Sequence, residues 1–139
     1  MLLTHYKLDT PEQLAIAERL MAVYAPWVLP VWVTEATVRW SADHDLNAQI
    51  VDEYEYRRIQ IDLGATFFVQ EEKCRDRDFV HELCHAVQSP LTTFIETLGA
   101  FGKGKQGDAL KSLYVKAMES ANEDMTNIVW RLLTEKRSS

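Results

Sequence analysis

Two histidines four residues apart, with a glutamate directly after the first, constrain this chain more than any other feature. Residues four apart project from the same face of a helix, so His81 and His85 can bind one metal ion. Glu82 lies about 100° further round the helix, where its carboxylate can reach a water on the metal rather than the metal itself. Neutral imidazole is a good zinc ligand, and a carboxylate beside zinc can take a proton from that water. The pattern therefore predicts a helical zinc site with Glu82 as general base.

The residues around the motif favour a binding face over a chance arrangement. The opposite side of the predicted helix is an apolar stripe suited to a core, made by Val80, Leu83, Cys84 and Val87. Asp78 lies on the histidine side, either as a first-turn acid favoured by the helix dipole or as a carboxylate that contacts a ligand or the substrate. The helix is expected to begin between Glu71 and Asp78, with Asp76 as one N-cap candidate, and to end near Gln88, before Pro90.

Size and composition restrict the class of protein. The 139 residues, 47% of them hydrophobic, suit a single domain spanning residues 1–139. A formal charge of −6 argues against broad binding to nucleic acid, which needs concentrated Lys and Arg. The first residues lack a signal-peptide pattern, and no apolar run approaches the roughly 20 residues of a membrane span. We therefore expect a cytoplasmic protein without a membrane segment.

The first half of the chain predicts a helix followed by strands. Thr10 and Pro11 form a helix start, and that helix should end before Pro26. Residues 30–40 are rich in β-branched and aromatic side chains, which favours one or two strands. Residues 49–63 read as a half-buried strand, since Ile59, Ile61 and Leu63 alternate with polar residues.

Beyond the motif helix the sequence predicts further helices. Residues 91–98 carry the apolar stripe of a short helix, and Glu96 lies opposite that stripe, which makes it a poor third metal ligand. Residues 99–106 approach a phosphate-binding pattern, but Gln106 replaces the required hydroxyl, so a flexible loop is expected. The last helix should run from Asp108 to about Glu135, with a buried face that includes Met125, Ile128 and Leu132.

The third metal ligand must be sought outside the motif. No histidine follows His85, so a downstream ligand would have to be a carboxylate, and Glu119 is the best placed. Glu123 lies one turn later and could hydrogen-bond a ligating histidine. The alternative is that both glutamates are solvated acids bordering the apolar face of the last helix.

His81, Glu82 and His85, with Glu119 in the run Ala117–Asp124, resemble the zincin metallopeptidases, specifically the small gluzincins. In that group a glutamate from a later helix completes the motif, and ImmA/IrrE-type peptidases and phage-encoded minimal zincins look most similar. The resemblance implies an α+β, zincin-like fold: an N-terminal helix, a small and mostly antiparallel sheet, the motif helix and C-terminal helices. It implies Zn²⁺ bound by His81, His85 and Glu119, and hydrolysis of a peptide or protein substrate.

A second resemblance joins the runs Tyr56–Leu63 and Arg77–Ala86 to the SprT/Spartan-type proteases, which act on DNA-bound proteins and use a third histidine. The chain lacks that histidine and is acidic, so a nucleic-acid partner is not expected. A regulatory or protein-binding module, with a structural zinc or lost activity, is the alternative from another functional class.

Overall fold

The computed structural model describes residues 2–99 and 101–138, and its architecture is α+β, as the sequence predicts. The elements of this part of the chain are, in order, β1 (Leu3–Lys7), α1 (Pro11–Val28), β2 (Glu35–Trp40), β3 (Ala48–Glu53), a 3₁₀ turn (Tyr54–Tyr56), β4 (Arg58–Leu63), α2 (Ala65–Phe68), α3 (Glu72–Thr97) and α4 (Gly104–Ser138). None of the described helices is both long enough and apolar enough to cross a membrane.

The four strands form one mixed sheet in the order β1-β2-β4-β3. β1 pairs with β2 and β2 with β4 in parallel, whereas β3 and β4 are antiparallel. The expectation of a mostly antiparallel sheet is therefore wrong. The error has two sources. The sequence patterns did not reveal β1, which α1 joins to β2 by a crossover, and such a crossover produces parallel neighbours. In addition, β4 lies between β2 and β3, and it is antiparallel to β3 but parallel to β2.

Residues 49–63 form a hairpin rather than the single predicted strand. The chain reverses through the 3₁₀ turn and Arg57, whose φ of 57° lies in the left-handed region. The Arg57 guanidinium donates hydrogen bonds to the backbone oxygens of Trp32 (3.0 Å) and Val31 (3.3 Å), which helps to hold this unfavourable backbone conformation. The hairpin leaves β3 at one edge of the sheet.

Helix α1 begins as the sequence predicts but ends later. The Thr10 hydroxyl oxygen accepts a hydrogen bond from the backbone N–H of Gln13 at 3.2 Å, so Thr10 is the N-cap. The helix continues through Pro26 to Val28, and the expected end before Pro26 is wrong. Because Ala25 and Val28 are buried in the core, packing stabilises a last turn that the proline alone would weaken.

Helix α3 likewise continues through Pro90, which joins the motif helix to the short helix predicted over residues 91–98. Pro90 has no N–H, so it cannot bond to the carbonyl of Ala86 four residues earlier. The indole N–H of Trp32 donates to that carbonyl at 3.1 Å instead. The Trp32 side chain therefore satisfies the carbonyl that Pro90 leaves without a helical partner. The helix continues past Gln88, so the predicted end near Gln88 is wrong.

Asp76 lies inside α3 and is not its N-cap. The carboxylate is buried and accepts hydrogen bonds from both terminal nitrogens of Arg19 (2.7 and 3.1 Å) and from the Tyr24 hydroxyl (2.7 Å). Two residues of α1 thereby bind one residue of α3. The contact fixes the motif helix against the helix that covers the sheet.

Replacing Asp76 with alanine should lower the free energy of unfolding by about 2–4 kcal/mol, since Arg19 and Tyr24 lose their shared acceptor in a mostly buried place. Chemical denaturation monitored by circular dichroism measures this change. Glu53→Ala is the control, because its ion pair with Arg58 is exposed at both ends and should contribute far less. If Asp76→Ala and Glu53→Ala lose the same free energy of unfolding, burial does not make the Asp76 contacts stronger than an exposed ion pair.

Helix α4 begins at Gly104, earlier than the predicted Asp108, so part of the expected loop over residues 99–106 is helical. Its first turns pack closely on the preceding turn: a Cβ on Gly107 would lie 2.6 Å from the backbone oxygen of Gly102. The predicted buried face is partly wrong, because Ile128 and Leu132 are exposed. The residues of α4 that pack against the core include Met125, Val129, Trp130 and Leu133.

The core lies between the sheet and helices α1 and α3. Alternate residues of β4 face it, as predicted. Three residues of the predicted apolar stripe, Val80, Leu83 and Cys84, are buried in this core, but the fourth, Val87, is exposed, so its predicted place is wrong. Leu83 and Cys84 are fully buried, so the opposite side of α3 must face away from the core. This orientation turns the two histidines toward β3 and α4.

Candidate metal centre

His81 and His85 lie one turn apart on α3, with ring centroids 5.0 Å apart and ring planes at 89°. Glu119 approaches them from α4: one carboxylate oxygen is 3.3 Å from His85 Nε2, and the other is 3.8 Å from His81 Nε2. His81 contacts Glu123, whereas His85, which is later on α3, contacts Glu119, which is earlier on α4. The two helices therefore run antiparallel at the site. The packing of α3 on α4 thus brings together the three residues that the sequence singled out.

The three side chains lie close enough together to hold one metal ion. Ligands about 2.0–2.1 Å from a tetrahedral zinc are about 3.3–3.4 Å from one another. One ligand atom from each of His81, His85 and Glu119 lies within 4.8 Å of the other two. Glu119 is more than half exposed, so its side chain has room to move closer to His81 Nε2, which is 3.8 Å away. Two imidazoles and one carboxylate are also a donor set that zinc prefers.

The second nitrogen of His81 has partners that orient the ring. Its Nδ1 lies 3.2 Å from a carboxylate oxygen of Glu123 and 3.2 Å from the hydroxyl oxygen of Thr126. The Thr126 hydroxyl donates to the backbone oxygen of Asn122 at 2.7 Å, so it can only accept from His81. Both partners therefore favour the tautomer with the proton on Nδ1, which leaves a lone pair on Nε2. The Asn122 amide nitrogen lies 3.4 Å from this Nε2 atom, and a Glu119 carboxylate oxygen lies 3.8 Å from it.

Glu123 is itself held in place by Arg77 of α3, whose guanidinium nitrogen lies 2.5 Å from the other carboxylate oxygen. This hydrogen bond from Arg77 is the main reason that the pKa of Glu123 is lowered from its usual value, so the carboxylate is ionised at neutral pH. Arg77 also hydrogen-bonds Asn127. The Arg77–Glu123–His81 chain of contacts links α3 and α4 directly behind the predicted metal ligand.

Two residues of this network were not predicted. Asn122 is fully buried, and its amide donates to the backbone oxygen of His81 at 3.1 Å; Thr126 is equally buried. Both follow Glu119 at helical spacing, at the third and seventh positions. Polar side chains at that spacing on a helix face that otherwise packs against the core are a signal that the sequence does contain.

Asp78 is not in the first turn of its helix, as the sequence suggested, and it contacts the loop before β3. It lies in the second turn of α3, and its carboxylate accepts a hydrogen bond from the Asn47 amide at 2.9 Å. Asn47 in turn accepts a hydrogen bond from Gln70 at 2.6 Å. In the part of the chain that the structure describes, Asp78 contacts the loop before β3 rather than either histidine. Asp78 affects the site by electrostatic repulsion, because its negative charge contributes to the raised pKa of Glu82.

Glu82 and His85 have altered pKa values because they are largely shielded from water. Burial, followed by repulsion from the Glu119 carboxylate, raises the pKa of Glu82 to about 8, while a backbone hydrogen bond from Ile50 opposes the shift. Burial lowers the pKa of His85, which favours the neutral imidazole that a metal requires. A divalent cation beside Glu82 would favour its carboxylate and so lower its pKa.

The two histidines, Glu82 and Glu119 line a cleft of about 440 Å³. One wall is the edge strand β3, and the others come from α3 and α4. Its further lining residues are Ala48, Gln49, Ile50, Asp52, Gln88, Thr92, Glu96, Tyr114, Val115 and Met118. A larger groove of about 680 Å³ lies between β1 and α1, but it is remote from the histidines. The chemistry, not the volume, marks the first cleft as the candidate site.

No family model, curated protein or solved structure matches this chain. The functional interpretation therefore depends on the chemistry and geometry of the cleft.

Replacing Glu123 with alanine should weaken zinc binding by about 10–100-fold, because the ring of His81 loses one of the two acceptors that orient it. Titration of zinc against a competing chelator measures the change in affinity. Asp124→Ala is the matched control, since it removes the same charge from an exposed position on the same helix. If Glu123→Ala binds zinc like the control, Thr126 orients His81 without help from Glu123.

Proposed function

We propose that this chain is a zinc-dependent peptidase of the zincin type, with the gluzincin-like ligand set His81, His85 and Glu119 and with Glu82 as general base. The observation that carries the proposal is the meeting of these four side chains in one cleft, although they come from two helices. A chance His-Glu-x-x-His pattern would have no reason to face a carboxylate from another helix at metal-ligand spacing.

The number of protein ligands supports a catalytic rather than a structural metal. Structural zinc sites have four protein ligands, whereas catalytic sites have three and keep one position for water or substrate. Among residues 2–99 and 101–138, the cluster found at metal-ligand distances contains three members. Its open side faces the cleft that these residues line.

Bound zinc supplies a Lewis acid that polarises the scissile carbonyl and lowers the pKa of water. Glu82 receives the proton of the attacking water on a carboxylate oxygen while the water oxygen forms its bond to the carbonyl carbon. As the carbon–nitrogen bond breaks, Glu82 returns this proton to the leaving amine. His81, His85 and Glu119 hold the metal, and the contacts of Glu123 and Thr126 keep the His81 ring in position.

The edge strand offers a way to position a peptide substrate. β3 pairs with β4 on one side only, so its other edge carries backbone N–H and C=O groups that an added strand could bind, apart from the Ile50 N–H, which donates to Glu82. Ile50 of β3 also lines the cleft and lies next to Glu82. A peptide bound in extended form along this edge would pass directly over the predicted metal ligands.

The proposal is tested by the metal content and the activity of the purified chain. We expect one zinc per chain by elemental mass spectrometry and cleavage of a mixed-sequence peptide pool, followed by mass spectrometry. Cleavage should stop when a chelator removes the metal and return when zinc is added. A chain that binds zinc but cleaves nothing in the pool would favour the alternative of a binding module with a structural metal.

A further inference from the structure

Arg77 lies one turn before His81 on α3, and its side chain reaches across to α4. One guanidinium nitrogen is 2.5 Å from a carboxylate oxygen of Glu123, and the same nitrogen contacts the side-chain oxygen of Asn127, one turn later on α4. Neither Arg77 nor Glu123 is among the residues that line the cleft. Arg77 therefore approaches the proposed metal centre from outside the cleft.

The Glu123 carboxylate has one contact on each of its two oxygens. Arg77 binds one oxygen, and the other lies 3.2 Å from Nδ1 of His81. Glu123 is about half exposed, and Glu119 carries the same charge one turn earlier. Repulsion between the two acids and the freedom of the side chain would both turn an unanchored Glu123 carboxylate toward water. The contact with Arg77 opposes both effects and keeps the second oxygen at the imidazole.

The ion pair itself contributes little to the packing of α3 on α4. The Arg77 side chain is 30% exposed and that of Glu123 is 46% exposed, and pairs this accessible to water are weak. The fully buried residues Asn122 and Thr126 already join the two helices at His81. Loss of Arg77 should therefore change the orientation of Glu123 much more than it changes the stability of the fold.

We propose that Arg77 is a positioning residue of the metal centre: it holds the Glu123 carboxylate at Nδ1 of His81 and thereby strengthens zinc binding at Nε2 of the same ring. A fixed acceptor at Nδ1 keeps the imidazole in the orientation and the tautomer that a metal requires. The inference identifies a residue that sets the metal affinity of the proposed peptidase, so it rests on that function.

The sign of the effect separates positioning from simple electrostatics. Arg77 carries a positive charge near a site for a divalent cation, so removing this charge should by itself tighten zinc binding, by about twofold for charges separated by partly exposed protein. Loss of the contact that positions Glu123 should weaken zinc binding instead. The two explanations therefore predict opposite changes in affinity.

Titration of zinc against a competing chelator compares Arg77→Met with the wild type. Methionine keeps part of the apolar stem and removes the guanidinium. We expect zinc binding to weaken by about 3–10-fold, which is less than the 10–100-fold typical of a residue in direct contact with a ligand. Arg131→Met is the control for charge, because Arg131 is exposed on α4 and does not line the cleft, and it should not weaken zinc binding.

A double-mutant cycle tests whether Arg77 acts through Glu123. In the Glu123→Ala background, Arg77→Met should cause no further loss of zinc affinity, because no carboxylate is left to position. Arg77→Lys should retain part of the wild-type affinity, since an ammonium group keeps the charge and can donate to one oxygen. Circular dichroism establishes that each variant is folded.

The Nδ1 proton of His81 gives a measurement that does not depend on zinc. Its exchange with water can be followed by nuclear magnetic resonance in the zinc-free protein, and a hydrogen bond to a fixed acceptor slows such exchange. We expect faster exchange in Arg77→Met than in either the wild type or Arg131→Met. A purely structural role of Arg77 would not change this one proton selectively.

Three results would overturn the inference: Arg77→Met that binds zinc as tightly as Arg131→Met, a loss of the same size in the Glu123→Ala background, or unchanged exchange of the His81 Nδ1 proton. Failure of the proposed function is distinguishable, because the wild-type chain itself would then bind no zinc. A wild-type chain that binds zinc, together with an Arg77→Met variant of unchanged affinity, would reject only the role of Arg77.

Discussion

Glu119→Ala should remove stoichiometric zinc from the protein. Two imidazoles one turn apart on α3 would remain, and two ligands hold zinc far less tightly than three, so we expect a loss of affinity of a hundredfold or more, beyond the 10–100-fold typical of residues behind the ligands. Elemental analysis after dialysis and titration with a competing chelator measure this loss. The wild-type chain should also become more heat-stable when zinc is added, and the variant should not.

The comparison with Glu123→Ala makes this result specific. Both glutamates are on α4, one turn apart, and both are about half exposed. Only Glu119 has carboxylate oxygens near the Nε2 atoms of both histidines, so its removal should have the larger effect. If Glu119→Ala retains zinc as tightly as the wild type, the third ligand is another residue and the gluzincin-like ligand set is wrong.

Glu82→Gln should retain zinc and the fold but lose hydrolysis by about 10²–10⁴-fold. Glutamine has nearly the same shape as glutamate, yet it cannot take a proton from the attacking water. The initial rate of peptide cleavage at saturating zinc measures the loss, and zinc content measured on the same sample shows that the ligands are intact. The effect on kcat should exceed the effect on KM, because Glu82 acts on the proton in the transition state.

Asp124→Asn is a suitable reference for this experiment too, because it removes one carboxylate charge at an exposed position outside the cleft. It should cleave peptides at close to the wild-type rate. Wild-type activity in Glu82→Gln would mean that another group accepts the proton or that the observed hydrolysis comes from a different protein.

The sequence alone was sufficient for the parts of the site that depend on local geometry. Helical spacing places His81 and His85 on one face, and a fixed turn of the helix carries Glu82 beside them, whatever the rest of the chain does. The α+β class and the capped start of α1 at Thr10 also followed from patterns within a few residues. Such features need no knowledge of what packs against them.

Tertiary contacts decided what local patterns could not. The helices continue through Pro26 and Pro90 because packing and the Trp32 indole compensate for what the prolines remove. Asp76 reads as a cap until Arg19 and Tyr24 are found to bind it inside the helix. The parallel pairing of β1 with β2 joins segments separated by a whole helix, and no periodicity in either strand encodes its partner.

In the candidate metal centre, too, some features follow from local sequence and others from tertiary packing. Its two histidines follow from a spacing of four residues. The sequence favoured Glu119 as the best-placed acid on α4, but only the antiparallel packing of α3 and α4 brings it to the histidines. Asn122 and Thr126 acquire their contacts with His81 from that same packing. Local sequence determines which side chains share one face of a helix, but only the packing of helices determines which two faces meet.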